Sequence, residues 1–437
     1  MSENYIVHPS ENITGEITVP GDKSISHRAL ILLSISEGTA SISNFLESDD
    51  CIATANILKK LGVKIYKSEK NNYLIEGVGK LGLKGCDENL DCGNSGTSMR
   101  LLSGLLSAQQ FESCLVGDSS LNKRPMDRVS KPLSIMGANI SLHDEKTAPI
   151  NIYPAQKILP IEYNMPIDSA QIKSAIMLAA LYAKGKSRIL EKVKSRDHTE
   201  NILNYLGTDI VVDNNEITLN PPKKIDAKDI FIPGDISSAM FFIVGCLISK
   251  SSKIKIKNVG LNPSRIGGIE ILKMMGADIQ VSYTNTTGPE IYGDIFVTSS
   301  SLRGIEIPKK YIPSAIDEFP VLFIAAAAAA GKTILKNAEE LKFKESNRLE
   351  AMSVGLKKCK IDNSVTSNGI EIFGGELFGA NVDSYDDHRI AMAFSIAGII
   401  SKGNMKILNT KNVSTSFPDF YKIMKSLGIK NEREIDT

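Results

Sequence analysis

The sequence predicts an α/β protein built from six copies of one structural unit, arranged as two domains of three copies each. Each copy begins with small or polar residues before an apolar, often Ala-rich run, as expected where an N-cap residue starts a helix. Each copy but one later shows an apolar residue, a Gly and a strand-like segment, as expected where a helix ends. The two marks lie between 38 residues (Ser169 to Gly207) and 43 residues (Asn94 to Gly137) apart throughout, which chance does not produce six times in order.

The repeat also predicts the elements of each copy. The helix starts lie at Gly21, Asn94, Ser169, Gly234, Ala315 and Asp387. The helix ends lie at Gly62, Gly137, Gly207, Gly276 and Gly428, and in the remaining copy at a site without Gly near 358–361. A unit of roughly 65 to 80 residues is too long for a solenoid repeat of ~20–50 residues, so each copy is predicted to be a small subdomain. Strands are expected at 16–19, 73–76, 216–219 and 369–373, and the domain division near 233–234.

Composition and charge exclude several function classes. The net charge is +1 over 437 residues, so no nucleic acid or acidic membrane surface is expected as a partner. The N-terminus lacks the basic and apolar regions of a secretion signal, and the apolar run 321–330 is too short to span a membrane. The six cysteines form no C-x-x-C pair and have no suitably spaced His partners. These features predict a cytoplasmic, reduced protein without a structural metal.

The helix starts are candidate anion sites, because free N–H groups and added cations attract negative charge. The first start, PGDKSISHR at 20–28, carries Lys23, Ser24 and Arg28. By itself it is also typical of a solvated first turn with a capping Ser. The same half of the chain, however, has the Gly-containing loop NSGT at 94–97 and Arg124. Only 11 of 51 basic residues are Arg, and six of them lie in or beside these motifs, which favours bidentate recognition of phosphate or carboxylate.

The second half of the chain contains a candidate base among further cations. Asp317 stands where other copies carry cations, and a carboxylate facing a basic site is suited to general-base work. The neighbouring Glu318 has a simpler explanation, because acidic residues are common at helix starts. Lys344 and Arg348 are predicted to share one helical face at i and i+4, and Arg389 completes the set.

Two histidines in these motifs have simpler explanations than catalysis. His198, in SRDHTE at 195–200, is expected to be a lone surface residue rather than a base. His388 has no second His or Cys at metal-ligand spacing, so it is not expected to bind a metal. Of the residues in SRDHTE, Arg196 is the predicted anion contact.

Together these residues resemble the enolpyruvyl transferase family. The resemblance runs from residue 19 to about 421 and is carried by GDKSISHRA, GNSGTSMRLL, KRPMDR, SAQIKSA, SRDHTE, IDEFP, KESNRL, DDHRIAM and SFPDF. It implies a two-domain inside-out α/β barrel of six βαβαββ repeats, three per domain. It further implies that 1–19 plus 236–437 form a discontinuous C-terminal-type domain, that 20–235 form the inserted N-terminal-type domain, and that the active site lies in the cleft between them.

Within the family, the motifs are similar to those of members that transfer the enolpyruvyl group of phosphoenolpyruvate to 3-phosphoshikimate. The resemblance implies Asp317, Glu345 and Lys23 as catalytic residues, with the proton transfers divided between Glu345 and Lys23 in an order left open. It implies that 3-phosphoshikimate is bound by Lys23, Ser24, Arg28, Ser169, Ala170, Gln171, Arg196, Asp317 and Lys344. It implies that phosphoenolpyruvate is bound by Lys23, Asn94, Gly96, Arg124, Gln171, Arg348 and Arg389. No metal or organic cofactor is expected, and the protein is expected to be a monomer.

Details of these motifs predict a subgroup and leave alternatives open. Ala170, Arg196, Glu340 and Thr415 are similar to a second subgroup that is often less sensitive to glyphosate, and Leu101 replaces the Pro of the first. Gly96 is the residue of sensitive enzymes, so we expect at most moderate tolerance. One alternative is a UDP-N-acetylglucosamine enolpyruvyl transferase, but Ser119 stands where those usually have a reactive Cys, and Ser24 where they have Asn. The other is a non-catalytic anion-binding scaffold, which predicts loss of acid–base residues that are present here.

Overall fold

The computed structural model describes residues 3–285 and 288–435. No helix in this part of the chain is long and apolar enough to cross a membrane. The described residues form thirteen α-helices: α1 (Lys23–Ser34), α2 (Asp49–Lys60), α3 (Gly96–Leu106), α4 (Asp127–Ile135), α5 (Ala170–Ala180), α6 (His198–Tyr205), α7 (Ile236–Ile248), α8 (Gly267–Met274), α9 (Ile312–Ala315), α10 (Phe319–Ala328), α11 (Arg348–Lys358), α12 (His388–Ala397) and α13 (Phe420–Ser426).

Short strands alternate with these helices. They are β1 (Glu3–Val7), β2 (Thr14–Thr18), β3 (Glu37–Ser43), β4 (Lys64–Glu69), β5 (Asn72–Val78), β6 (Leu90–Asp91), β7 (Ser113–Val116), β8 (Asn139–His143), β9 (Thr147–Tyr153), β10 (Glu162–Asn164), β11 (Ser187–Leu190), β12 (Ile210–Asp213), β13 (Glu216–Leu219), β14 (Ile230–Phe231), β15 (Lys253–Gly260), β16 (Asp278–Asn285), β17 (Tyr292–Thr298), β18 (Lys332–Leu335), β19 (Asn363–Val365), β20 (Ile370–Phe373), β21 (Asn381–Asp383), β22 (Met405–Leu408) and β23 (Asn431–Ile435).

The chain separates into two compact units. The first, called here the inserted unit, comprises Gly21–Pro233 and a short segment ending at Glu290. The second, called the terminal unit, comprises the chain up to Pro20, Gly234–Asn285 and the chain from Ile291 onward. Each unit has its own buried apolar cluster.

Each unit contains three sheets among the described residues, which confirms the six-copy prediction. In the second copy the chain runs β6-α3-β7-α4-β8-β9 and the sheet order is β6-β7-β9-β8. The first pair is parallel and the next two are antiparallel. The third copy repeats this arrangement with β10-β11-β13-β12. Both copies are βαβαββ units in which the helices connect strands of one sheet.

Three sheets take one strand from a distant part of the chain. In the inserted unit, β14 pairs in parallel with β3 and closes the first sheet at the end of the insertion. In the terminal unit, β2 pairs in parallel with β15, and β1 lies antiparallel between β22 and β23. The fifth copy has three strands, β18-β20-β19, and a parallel bridge from Glu306 to Ile334 replaces the fourth. Residues 3–18 therefore complete two sheets of the terminal unit.

The start helices are the buried helices of each unit. All residues of α10 from Phe319 to Ala327 are buried, and α7 is buried from Ile236 to Leu247. In the inserted unit α1, α3 and α5 are buried along nearly their whole length. A helix that is apolar all round is stable only inside a core, and here the sheets cover it. The fold is thus an inside-out α/β barrel, in which polar groups gather at the ends of the inner helices.

The predicted helix ends are confirmed by backbone conformation. Gly62, Gly137, Gly207, Gly276 and Gly428 each lie one residue beyond a C-cap and have φ between 84° and 100°. In the remaining copy, Lys360 occupies this position with φ of 62°. The left-handed conformation disfavours side chains with a Cβ, so five copies use Gly and one carries a strained Lys.

Candidate active site

The first helix start holds a partly exposed lysine beside a buried carboxylate. Asp22 is the N-cap of α1, and its side chain accepts a hydrogen bond from the Ile25 amide at 2.9 Å. Lys23 is the first residue of the helix, and its Nζ lies 2.5 Å from Asp50 Oδ2. The Lys23 side chain is 21% exposed, whereas Asp50 is 9% exposed. This placement leaves a cation accessible at the positive end of the helix dipole.

Arg28 is buried one turn further along α1 and bonds only to neutral groups in the contacts that the structure shows. Its Nε donates to Thr199 Oγ1 at 2.7 Å, and its Nη2 donates to Ser174 Oγ at 2.9 Å. Its Nη1 donates to the Ser24 carbonyl at 2.9 Å. Burial lowers the pKa of Arg28 to about 10, although Glu200 partly offsets this, so the group is still charged at neutral pH.

The start of α5 adjoins these contacts. Ser169 is the N-cap residue, and its hydroxyl makes no capping hydrogen bond. The Ala170 carbonyl accepts a hydrogen bond at 2.6 Å from Ser174 Oγ, which in turn accepts from Arg28. Arg196 is partly buried, and its charge is close enough to Arg28 to disfavour the protonated form of that residue. Arg28 and the start of α5 thus share one hydrogen-bonded cluster.

A second group surrounds the start of α3. Arg124 Nη2 donates to Asn94 Oδ1 at 3.1 Å. A Cβ on Gly96 would lie 3.3 Å from Arg124 Nη1 and 3.0 Å from Arg100 Nη1, so the absence of a side chain lets both guanidinium groups approach the helix end. Arg100 Nη1 also donates to Gln171 Oε1 at 2.6 Å. Gly96 therefore lies between two hydrogen-bonded pairs, Arg124 with Asn94 and Arg100 with Gln171.

The terminal unit brings Asp317 together with four other predicted residues. Asp317 Oδ1 lies 3.6 Å from both Lys344 Nζ and Arg348 Nη1. Its backbone carbonyl accepts a hydrogen bond from Arg389 Nη1 at 2.8 Å. Glu345 Oε2 accepts from Arg348 Nη2 at 2.5 Å. Asp317 is thus held by its carboxylate and its backbone among three cations.

Arg348 is the most constrained of these residues. Its side chain is 1% exposed, and its Nε donates to Asp387 Oδ2 at 2.8 Å. Burial disfavours the charged form, but the carboxylates of Asp387 and Glu345 outweigh that effect and raise the pKa of Arg348 above its ordinary value. Within the described part of the chain, the buried Nη1 has no hydrogen-bond partner. A buried guanidinium donor that makes only a 3.6 Å ion pair, here with Asp317, and no hydrogen bond is suited to an anionic ligand.

The expected helical face shared by Lys344 and Arg348 is wrong. Helix α11 begins at Arg348 with Asn347 as its N-cap, whose side chain accepts from the Glu350 amide. Lys344 lies before it, at the end of a 3₁₀ turn over Glu339–Phe343. The polar run before residue 348 caps a helix rather than extending one. The two cations still meet, because both approach Asp317.

The expectation that His198 is a surface residue is also wrong. His198 is the first residue of α6, it is 2% exposed, and its Nδ1 lies 2.7 Å from Glu290 Oε1. Glu200, two residues further along α6, is 3% exposed as well. Glu318, expected to be an ordinary helix-start acid, is 1% exposed and accepts a hydrogen bond from Ser237 Oγ.

Sequence reasoning missed three kinds of supporting residue. Arg100 joins Gln171 to the Gly96 helix start, and Asp387 holds Arg348; both were visible only as parts of motifs. Lys173 is fully buried and pairs with Glu191 and Glu200. A lysine inside the otherwise apolar run of α5 was the signal for this last group.

Metal ligation finds no support in the described residues. They contain no group of three or more His, Cys, Asp or Glu side chains that could hold a metal ion. The six cysteines are all free.

Comparisons with known proteins agree over nearly the whole chain. The family model described as EPSP synthase (3-phosphoshikimate 1-carboxyvinyltransferase) matches residues 7–424. A 3-phosphoshikimate 1-carboxyvinyltransferase of Coxiella burnetii is 48% identical over 427 residues, which cover 98% of this chain and 97% of the relative. One from Legionella pneumophila is 49% identical over 417 residues, covering 95% and 96%.

A solved structure extends the agreement to the fold. The EPSP synthase of Acinetobacter baumannii superposes with a TM-score of 0.91 at 44% identity, and the match covers 100% of both chains. The motif resemblance, the six-copy fold, the family model and the relatives therefore agree, and the chain belongs to the EPSP synthase family.

Proposed function

We infer that this chain transfers the enolpyruvyl (carboxyvinyl) group of phosphoenolpyruvate to the 5-hydroxyl of 3-phosphoshikimate. The products are 5-enolpyruvylshikimate 3-phosphate and phosphate, and the step belongs to the shikimate pathway toward chorismate and aromatic amino acids. Family membership and relatives named 3-phosphoshikimate 1-carboxyvinyltransferase support the reaction. Among the structural observations, the cluster of Asp317, Lys344, Glu345, Arg348 and Arg389 carries it, because it combines a carboxylate base with donors for anions.

We propose that the inserted unit supplies most of the groups that bind the substrates. Lys23, Ser24, Arg28 and Arg196, with the start of α5 at 169–171, would hold 3-phosphoshikimate. Asn94, Gly96 and Arg124 would hold phosphoenolpyruvate together with Lys23 and Gln171. The observed bonds among Asn94, Arg124, Arg100 and Gln171 support a preorganised anion site, which lowers the cost of ordering side chains on binding.

The terminal unit would supply Asp317 and Glu345, two of the three acid–base groups, and Lys23 of the inserted unit would be the third. Asp317 would orient the 5-hydroxyl and accept its proton, and Lys344 would contact the same substrate. Arg348 and Arg389 would hold phosphoenolpyruvate. Glu345 and Lys23 share the proton transfers to and from the methylene carbon.

The reaction then follows from these positions. Protonation of the phosphoenolpyruvate methylene builds cationic character at the neighbouring carbon, and the 5-hydroxyl adds there as its proton leaves. The tetrahedral intermediate then loses a proton from the new methyl group and expels phosphate, which restores the double bond. Fixed cations stabilise the anionic groups throughout without reorganising.

Phosphate release tests the reaction directly. The purified protein is incubated with phosphoenolpyruvate and either 3-phosphoshikimate or UDP-N-acetylglucosamine. Release only with 3-phosphoshikimate is expected. Release only with the sugar nucleotide would establish the alternative transferase, and none with either acceptor would favour the anion-binding scaffold.

The Asp317→Ala variant tests the assigned base. It should bind both substrates but turn over at least ~100-fold more slowly, within the usual range for loss of a general base. Calorimetry of substrate binding beside phosphate release separates the two effects. Turnover near the wild-type rate would remove Asp317 from the mechanism.

Several finer statements belong with this proposal. The domains are proposed as 1–19 plus 236–437 and 20–235, and the protein as a cytoplasmic monomer that needs no cofactor. Sedimentation of the purified protein tests the monomer. Ala170 and Thr415 favour the second subgroup, with at most moderate glyphosate tolerance. Potent inhibition by glyphosate, competitive with phosphoenolpyruvate, would contradict that last expectation.

A further inference from the structure

A buried group of three charges lies behind the proposed 3-phosphoshikimate residues of the inserted unit. Lys173 Nζ is 2.8 Å from Glu191 Oε2 and 2.6 Å from Glu200 Oε1. The three side chains are 0%, 1% and 3% exposed, respectively. We call this group the Lys173 triad. None of its members belongs to the proposed substrate contacts.

Each member of the triad lies on a different segment of the site. Lys173 is in α5, two residues after Gln171. Glu191 directly follows β11, and its Oε1 accepts hydrogen bonds from the amide and hydroxyl of Ser195, the residue before Arg196. Glu200 is in the first turn of α6. One ammonium group therefore connects the three segments that carry Gln171, Arg196 and the start of α6.

The neighbours of the triad also orient Arg28. Thr199, next to Glu200, accepts from Arg28 Nε, and Ser174, next to Lys173, accepts from Arg28 Nη2. The two hydroxyls lie 2.7 Å apart and share a hydrogen bond. A shift between α5 and α6 would separate these two acceptors, and Arg28 could then no longer bond to both.

Stability alone is a weak reason for such a group. Buried ion pairs cost desolvation that their attraction often only balances, and apolar residues of the same size can be as stable. Separating the partners of a buried ion pair nevertheless leaves a buried charge without compensation. The pair therefore resists any movement that would pull the two side chains apart. The triad is therefore better explained by its fixing of α5, α6 and the segment before Arg196 relative to one another than by added stability.

We propose that Lys173 is a positioning residue for the acceptor substrate, 3-phosphoshikimate. Through Glu191 and Glu200 it keeps the start of α5, the segment carrying Arg196 and the hydroxyl pair at Arg28 in one arrangement. This inference rests on the proposed function, because 3-phosphoshikimate is the acceptor only if that function holds.

The Lys173→Met variant tests the proposal, because it keeps the side-chain length and removes the charge. Calorimetry with 3-phosphoshikimate should show a Kd raised on the order of 10-fold or more, since small misplacements of binding groups are costly. With saturating 3-phosphoshikimate, kcat should stay within about 3-fold of wild type, because Lys173 does not contact reacting atoms. A purely structural role would lower the melting temperature and leave this Kd unchanged.

Two further sets of variants keep the test decisive if Lys173→Met does not fold. The triple variant K173M/E191Q/E200Q removes all three charges together and so relieves the uncompensated carboxylates. The triple variant should therefore melt near the wild-type temperature. Because Met at position 173 still cannot donate a hydrogen bond to Gln at position 191, the Kd for 3-phosphoshikimate should remain raised on the order of 10-fold. The single variants E191Q and E200Q, which retain Lys173, should raise Kd by a smaller factor.

Arg188→Met is the matched control. Arg188 lies in β11 of the same unit and pairs with two glutamates, Glu162 and Glu216, but it is 48% exposed. Its variant should bind 3-phosphoshikimate as the wild type does. A folded Lys173→Met or triple variant with wild-type Kd, or an equal effect of Arg188→Met, would overturn the proposal. Absence of 3-phosphoshikimate binding to the wild type would instead refute the proposed function.

Discussion

Arg28 in the inserted unit and Arg348 in the terminal unit are both buried near helix starts, yet their surroundings differ. Arg28 donates to two hydroxyls and a carbonyl, and burial lowers its pKa to about 10. Arg348 donates to Asp387 and Glu345 and lies near Asp317, and these carboxylates raise its pKa. No carboxylate is bonded to Arg28 in the contacts that the structure shows, whereas Arg348 is held by carboxylates that include the proposed acid–base residues Glu345 and Asp317.

The difference is consistent with the proposal that the inserted unit supplies most substrate contacts and the terminal unit most acid–base groups. Neutral partners hold a guanidinium in position without neutralising it, which suits binding of a phosphate or carboxylate. Carboxylate partners make a rigid network in which each group orients the next, which suits chemistry. Lys344, Glu345 and Asp387 all contribute to such a network around Arg348 and Asp317.

The largest effect should come from the Asp387→Asn variant. Asp387 is 0% exposed and accepts from Arg348 Nε, Ser346 Oγ and the Arg389 amide. Loss of its charge should lower the free energy of unfolding by roughly 3 to 5 kcal/mol, because a buried cation loses its main partner. Urea denaturation measures this change. A loss below about 1 kcal/mol would mean that Glu345 and Asp317 compensate Arg348 on their own.

The Thr199→Val variant is the counterpart in the inserted unit and should have a smaller effect. It removes the acceptor of Arg28 Nε while keeping the side-chain shape. A hydrogen bond to a charged group contributes about 2 kcal/mol, and the same denaturation experiment measures it. If Thr199→Val proved as costly as Asp387→Asn, the contrast between neutral and charged partners would be wrong.

Acid sensitivity should arise at the first helix start of the inserted unit. His27 is buried, and burial together with the nearby Lys23 and Arg28 lowers its pKa well below the ordinary value. Below about pH 6.5, His27 binds a proton in the unfolded chain but stays neutral in the folded protein. The free energy of unfolding therefore decreases as the pH falls. Between pH 7 and 5.5 this residue should cost about 1 kcal/mol, and the His27→Asn variant should lack that part of the loss.

Denaturation of wild type and variant at both pH values isolates this contribution, because other titrating groups are common to the two proteins. Asn can still bond to Thr54 Oγ1, the partner of His27 Nδ1. Parallel pH dependence of the two proteins would show that His27 is not held neutral.

The smallest effects on stability are expected at two helix ends, one in each unit. Gly207 in the inserted unit has φ of 84°, and no atom lies within 4 Å of a Cβ placed there, so Gly207→Ala should cost about 1 kcal/mol through the backbone alone. Lys360 in the terminal unit is already left-handed, but its Nζ lies 4.2 Å from the centroid of the Phe378 ring. Lys360→Gly should therefore change stability by less than about 1 kcal/mol, because relief of strain is offset by loss of the cation–π contact. A Gly207→Ala variant as stable as wild type in urea would contradict the backbone argument.

Local sequence determined the repeated elements of this protein. Helix starts show an N-cap residue before an apolar run, and five of the six helix ends show Gly in a conformation that favours it, so short-range chemistry decides both. The helix end at Lys360 was predicted near 358–361 from the same repeat spacing, although it has no Gly. Charge and position indicated a base at Asp317 and anion contacts at the motif arginines, and the family resemblance then assigned these residues and Lys23 to particular substrates.

Tertiary structure alone decided which polar residues are buried and with whom they pair. His198 was expected at the surface because its segment is polar, yet both His198 and the nearby Glu200 are buried. Lys344 and Arg348 meet at Asp317 and not along one helix, because Lys344 ends a 3₁₀ turn and α11 begins only at Arg348. Such contacts join residues that are far apart in the chain, as Lys173, Glu191 and Glu200 show. Burial of a charge depends on partners that neighbouring residues do not reveal, and only the packed fold supplies them.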